Sequence, residues 1–266
     1  VALQDTDVFV RLERFYDALP RPYARAEDFG GLVLFVREGE GWPYYARPII
    51  GADTPSAADI TAVRQRQRDL GLPEAFEWVH ETTPDLLAVA RSAGLGVLLA
   101  PLLVLEAAAL VPDLPVAGGA IHFLDPSSDR FDAEVFAARA VAQHAFAGAP
   151  GSGVSQAQID LDRRQVDSGD YSIAVVESPN EGILATGTLM RSGDVAEIAG
   201  VATLPSARGR GYASQLTASL ARRALTAGVD LVFLSAGDDD VARLYTKVGF
   251  RRVGTACIAE PAAAPL

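Results

Sequence analysis

The sequence predicts a mixed α/β protein in two domains, with mixed sheets and helices on both faces. Three observations predict it. Apolar strand-like runs alternate with amphipathic helical stretches along all 266 residues. One run, Val195 to Leu204, passes through a loop of arginines and glycines into a helix. The order strand, loop, helix, strand, helix, strand around that loop also describes the N-terminal half. A composition of 49% apolar and 21% charged residues suits an ordinary globular chain with ample core.

Taken in order, Asp5 to Leu19 reads as a helix, with Val8, Leu12, Phe15 and Leu19 along one side, ending before Pro20 and Pro22. Gly31 to Val36 and Trp42 to Ile50 read as strands pairing in a hairpin across Gly39-Glu40-Gly41. Ser56 or Asp59 caps a helix reaching Leu70, and Gly71 closes it. Phe76 to Val79 is a short strand, Thr83 to Arg91 a helix stopped at Gly94, and Gly96 to Leu105 a long apolar strand. Ala107 to Gly119, small residues with two prolines and two glycines, reads as the linker, so the domains are expected at 1–115 and 116–266. In the second, Ala120 to Leu124 is a strand. Phe131 to Phe146 is a helix with Val135, Phe136, Ala142 and Phe146 as core candidates, broken by Gly148 to Gly153. Gln156 to Val166 is a charged helix, and Ser172 to Glu177 and Gly182 to Arg191 are strands of a meander.

The next segment, VAEIAGVATLPSARGRGYA from Val195, organises the chain. Periodicity alone does not separate strand from helix over its apolar run, but Gly200 and Pro205 favour a strand. After Ala213, Leu216, Leu220 and Ala224 recur at four-residue steps, the mark of an amphipathic helix ending at Gly228. Between them, Gly209 and Gly211 let the backbone approach a ligand, and free N–H groups at a helix start favour an anion. Arg208 and Arg210 add positive charge. The P-loop pattern is missing, and Gly209-Arg210-Gly211-Tyr212-Ala213-Ser214 puts Ser at the third glycine of a dinucleotide fingerprint. Downstream, Leu231 to Ala236 is an apolar run, Asp238 to Asp240 start a helix marked by Val241, Leu244, Tyr245 and Val248, and Gly249-Phe250 end it.

The R-x-x-G-x-A of Arg208, Gly211 and Ala213, followed by ARLYTKVGFRRVG, resembles the GNAT superfamily of N-acetyltransferases over about Ile173 to Ala259. The resemblance implies tandem GNAT-like domains, each a mostly antiparallel sheet flanked by helices, the N-terminal one silent because Gly51 to Ala58 holds no arginine or paired glycines. It implies acetyl-CoA as acyl donor, its diphosphate held at Arg208, Gly209, Arg210, Gly211, Tyr212 and Ala213. Backbone N–H groups near Val201, Ala202 and Thr203 would meet the pantetheine arm and the oxyanion. Tyr245 is the expected general acid toward the CoA sulfur; a helical Tyr beside Leu244 and Val248 is otherwise a core residue. Glu197, a lone carboxylate in an apolar strand, is the candidate base, directly or through water; a strand-end carboxylate facing solvent or an Arg is the other reading. Where the family often has Asn, this chain has Asp238, so no cofactor role passes to it.

The expected function is therefore direct acetyl transfer from acetyl-CoA to a primary amine of a small-molecule or peptide acceptor, with a non-catalytic CoA-binding sensor as the alternative. The same scaffold also allows another acyl donor or a hydroxyl acceptor. No metal is expected: His80, His122 and His144 are widely separated. The formal charge of −11 argues against nucleic acid and mildly favours cationic or neutral acceptors. The excess acid is mostly N-terminal, with 10 basic and 17 acidic residues in 1–117 against 13 and 17 in the remainder. No apolar run matches a membrane span and no leader is visible, so neither a membrane partner nor export is expected. The single cysteine, Cys257, makes no internal disulfide and reads as a buried strand residue, which fits a cytoplasmic protein. A homodimer is compatible with the sequence.

Overall fold

The computed structural model describes residues 5–112, 116, 118–147 and 153–262. Contacts divide the chain into two compact units, one of residues 1–102, 235–238 and 253–266, the other of 103–234 and 239–252. The boundary read from sequence at 115/116 thus falls inside the second unit, and most of the last strand lies in the first. Pairing between segments so far apart along the chain leaves no local signal.

In the first unit, α1 (Asp5–Ala18), α2 (Ala57–Asp69) and α3 (Leu86–Ser92) accompany β1 (Ala24–Phe29), β2 (Leu32–Arg37), β3 (Ala46–Pro48), β4 (Phe76–Val79), most of β5 (Leu95–Leu105, its last three residues in the second unit) and most of β11 (Arg251–Pro261, its first two residues in the second unit). The strand order is β1-β2-β3-β4-β11-β5. β11 runs antiparallel to β4, Cys257 facing Trp78 across the pair. The sequence pattern misses β1, because ARAEDF is an edge strand with mostly wet side chains and no apolar alternation. It also overstates β3, of which only Ala46–Pro48 pair. The α2 cap combines both candidates: Ser56 Oγ accepts from Asp59 N (3.2 Å), while Asp59 Oδ2 accepts from Ser56 N (2.8 Å). Leu32, Leu34, Ile60, Val63, Phe76 and Trp78 form this unit's core.

One ionic group lies inside the first unit. The Arg47 guanidinium, 1% exposed, is paired with Glu13, which also accepts from Thr82 Oγ1 at 2.6 Å. Beside it on β4, burial pushes the Glu77 carboxyl up to about 7, with Arg47 pulling it down and Glu260 pushing it up. An acid whose folded pKa lies above its unfolded value contributes stability that is full below about 4.5 and lost as pH rises through about 7. Glu77→Gln is therefore expected to flatten the stability–pH curve over that window and to gain on the order of 1–2 kcal/mol at pH 8. Urea titrations at pH 5 and pH 8 check this; a variant as pH-sensitive as the parent contradicts it.

The second unit contains β6 (Ala120–Phe123), α4 (Phe131–Ala147), α5 (Gln156–Asp167), β7 (Tyr171–Ser178), β8 (Gly182–Ser192), β9 (Val195–Thr203), α6 (Tyr212–Thr226), β10 (Leu231–Ser235, its last residue in the first unit) and α7 (Asp239–Thr246). The strand order is β10-β9-β8-β7-β6, antiparallel except for β9 and β10. α4 and α6 both pack on β8 and β9. A Cβ at Gly187 would stand 2.9 Å from Leu220 Cδ1 of α6, so glycine there lets that helix close on the sheet. Thr186 and Thr188, its neighbours on β8, point to the face of α4 and α5.

Two expectations for this unit are corrected. Phe136 and Phe146 of α4 are 50% and 70% exposed and belong to no core, whereas Val135 is fully buried. The stretch read as a linker is packed against the chain. Val111 N donates to Val248 O (3.2 Å), and Arg222 donates to Val111 O (2.9 Å). A Cβ on Gly249 would overlap Ala109 O. Composition does not distinguish a linker from a connection whose small residues permit close packing. Residues 113–115 and 117 of it, and the break expected at Gly148 to Gly153 except its last residue, lie outside the described residues.

Candidate functional site

β9 keeps β8 along its length and loses β10 part-way. Its parallel ladder with β10 consists of Leu231↔Val195, Val232↔Ala196 and Phe233↔Glu197 and stops there. On the other side, Thr188 pairs with Ala199 and Thr186 with Ala202, so Gly200 and Val201 stand against the single residue Gly187. This is a β-bulge, with Gly200 at φ +61°. Beyond Glu197 the edge of β9 that faced β10 has no strand partner among the described residues, while the other edge stays on β8 as far as Leu204 N, which donates to Leu184 O.

A groove of about 600 Å³ opens at this point. Val201, Ala202 and Thr203 form one wall, Arg208, Gly209, Gly211, Tyr212 and Ala213 its end, and Val241, Leu244 and Tyr245 of α7 the facing wall. Gly209 and Gly211 have φ of +79° and +83°, the left-handed region open to glycine at no steric cost. Gly211 is the N-cap of α6 and offers no side-chain cap. The amides of Gly209, Arg210 and Gly211 have no main-chain acceptor among the described residues, and they stand where the helix dipole favours an anion. Thr203 Oγ1 is buried with no hydrogen-bond partner among the described residues. Arg208, at the groove's edge, donates to Ala145 O at 3.4 Å, a long bond and the one its side chain makes among the described residues.

Tyr245 is 7% exposed and stacks at a tilt on Phe250, ring centroids 6.2 Å apart. Burial pushes its phenol up to about 12, so near neutral pH it is an O–H donor. Among the described residues its hydroxyl has no hydrogen-bond partner.

Two of the residues singled out in the sequence do not line the groove. Arg210 turns away to Glu181 (2.9 Å) and the Ser206 carbonyl, and its bond to Glu181 holds the guanidinium above its ordinary value. Glu197, buried on β9, faces Met190 across the ladder. By strand alternation it shares the face of Ala199 and Thr188, toward α4 and α5, rather than the groove wall. Conversely, Ala145, Phe146, Val241 and Leu244 line the groove unannounced. An apolar side chain awaiting a ligand has the same helical spacing as one awaiting a core.

Cys257 is fully buried in β11, its thiol pushed up to about 12 by burial, and is no nucleophile. The spacing of the histidines concealed one cluster: ligand atoms of His122, Glu134 and Glu177 lie within 4.8 Å of one another. Arg130 donates to Glu177 at 2.8 Å and forms an ion pair with Glu134 at 3.1 Å, so both carboxylates stand beside a guanidinium. Among the described residues, no helix is long and apolar enough to cross a membrane.

The family model described as FR47-like protein matches residues 175–258, the span holding both the loop and Tyr245. Among solved structures, a GCN5-related N-acetyltransferase from Kribbella flavida superposes with TM-score 0.74 at 22% identity, covering 97% of this chain and 96% of that one. Another from Sphaerobacter thermophilus gives 0.61 at 16%, covering 94% and 84%. A tandem GNAT protein from the clavulanic acid biosynthesis pathway gives 0.53 at 14%, covering 88% and 79%. These likenesses establish the fold. No curated protein matches the chain.

Proposed function

We propose that this chain is a GNAT-superfamily enzyme carrying out acetyl-CoA-dependent N-acetyl transfer to a primary amine; the family-model match over residues 175–258 and the shared fold support the reading. The observation that carries the proposal is the groove itself: acceptor-free amides at a helix start, a neighbouring Arg208, and a protonated phenol on the facing wall. The donor set fits the coenzyme. A diphosphate needs N–H donors in a concave turn and receives them from Gly209 and Gly211 onward, with Arg208 beside them. A pantetheine arm needs unpaired strand amides and receives them where β9 has left β10.

When bound, acetyl-CoA supplies an acetyl group activated as a thioester. The protein's residues supply the rest. Glu197 draws a proton from the acceptor ammonium through a bridging water, since its side chain lies on the α4/α5 face of the sheet. The freed amine nitrogen forms the new C–N bond as the C–S bond breaks. Backbone N–H groups of Val201 to Thr203 face the oxygen that gains charge. Tyr245 gives its phenolic proton to the departing sulfur and is reprotonated from solvent; the nitrogen sheds a second proton to water once the C–N bond has formed, so the ammonium loses two protons, one offsets the proton placed on sulfur and one is released in net. Arg210 stays outside this chemistry and braces the loop against Glu181.

Thiol release from acetyl-CoA, followed with a thiol reagent, tests the assignment. Release that depends on an added primary amine, with N-acetylated product by mass spectrometry, is the expected result. Tight acetyl-CoA binding with no release across a broad amine panel would identify a sensor instead.

A further inference from the structure

Behind the bulge lies a second hollow of about 210 Å³, between α4, α5 and the strands β7 and β8. We infer that this hollow is the acceptor subsite of the transferase proposed above, and that it selects small primary amines bearing an uncharged hydrogen-bonding group, an amide or hydroxyl, over polycations.

Its position follows from shared walls. Gly200, first residue of the bulge, lines the hollow, while Val201 to Thr203, the next three, line the groove. On α4, Ala142 lines the hollow and Ala145, less than one turn on, lines the groove. Glu197 lies on the same face of the sheet as Thr188, which lines the hollow. An amine seated there lies on the sheet face that carries the candidate base, beside the bulge.

The lining sets the chemistry. Val135, Ala138, Ala142, Val166 and Ile173 make it mostly apolar. Among the described residues lining it, the one carboxylate, Asp162, is already engaged, accepting from Arg139 Nε and Nη2 at 2.6 Å each and from Gln158 Nε2 at 3.1 Å. The Arg139–Asp162 pair adds no net charge, so nothing here compensates a second ammonium. This reverses the mild preference for cations that the overall charge of −11 suggests.

Gln165 is the informative side chain. It is 8% exposed and lines the hollow, yet among the described residues its amide has no hydrogen-bond partner. Thr188, half-buried on the opposite wall, has none for its hydroxyl either. A primary amide with no protein partner at the wall of the hollow offers both donors and an acceptor to an incoming group. An incoming amide or hydroxyl group satisfies both functions, whereas a methyl or an ammonium does not.

The test uses the full chain saturated with CoA and reads amine binding by calorimetry, with kcat/KM in parallel. The probes are β-alaninamide and ethanolamine against n-butylamine and 1,4-diaminobutane. β-Alaninamide is expected to exceed n-butylamine and the diamine by about tenfold or more, the scale of one buried polar match. Gln165→Leu should bring that ratio close to one with the acetyl-CoA Kd unchanged. Gln165→Glu, which keeps the shape, should shift preference toward the diamine. A parent protein that prefers the diamine, or shows no preference, overturns the inference, as does a ratio unmoved in both variants. If the coenzyme itself fails to bind, the donor assignment falls and this subsite with it; binding without amide preference removes the subsite alone.

Discussion

Tyr245→Phe is expected to lower kcat by roughly 10²–10³-fold, within the range that a positioned proton donor contributes, while the Kd for acetyl-CoA changes by less than about threefold. The substitution removes one oxygen and keeps the ring on Phe250, so melting should shift by no more than about 2 °C. The pH profile separates a donor from a packing residue. With the phenol pushed up to about 12, the acid form persists throughout the neutral and mildly alkaline range, and the parent's kcat should show no descending limb between pH 7 and about 10. Steady-state thiol release over that range checks both statements. Equal kcat in parent and variant would assign Tyr245 to packing only.

Gly211→Val should weaken acetyl-CoA binding by about 10²-fold or more. A β-branched residue is strained at φ +83°, at a cost of roughly 1–3 kcal/mol. The loop relieves that strain by rotating the peptides that present Gly209, Arg210 and Gly211 N–H to the ligand. Losing two charge-assisted bonds of about 1.5–3 kcal/mol each accounts for the effect. There is space for the side chain itself, the nearest atom to a Cβ being Gln215 Nε2 at 3.9 Å, so the consequence is orientation rather than a clash. Arg210→Ala is the matched control. Its guanidinium is held by Glu181, and removing it should move Kd by less than about threefold.

These two substitutions fall in the part of the chain that was most legible. The loop carries its chemistry in consecutive residues, since two left-handed glycines, an arginine and a helix start must be adjacent to make the turn. Tyr245 is announced by a contiguous run ending in Gly249, whose identity the Ala109 carbonyl requires. Legibility fails where function depends on residues distant in sequence. Gly200 favoured a strand correctly, but the pairing shift that makes it a bulge depends on Gly187 of another strand. Phe146 has the spacing of a core residue and stands at the groove. Arg210 and Arg208 look equivalent two residues apart, and only Glu181 distinguishes them. Gln165 gave no signal at all, because a glutamine on a charged helix is ordinarily a solvated one. The allocation of β11 to the first unit was hidden for the same reason, its partner β4 lying far upstream.

The central claim is that main-chain amides from Gly209 to Ala213 grip a diphosphate. Calorimetric titration of the parent chain with CoA and, separately, with pantetheine, which has the thiol arm and no diphosphate, addresses it most directly. The account predicts saturable binding of CoA and binding of pantetheine weaker by about 10²-fold or more. Equal affinities, or no heat with CoA, would contradict it.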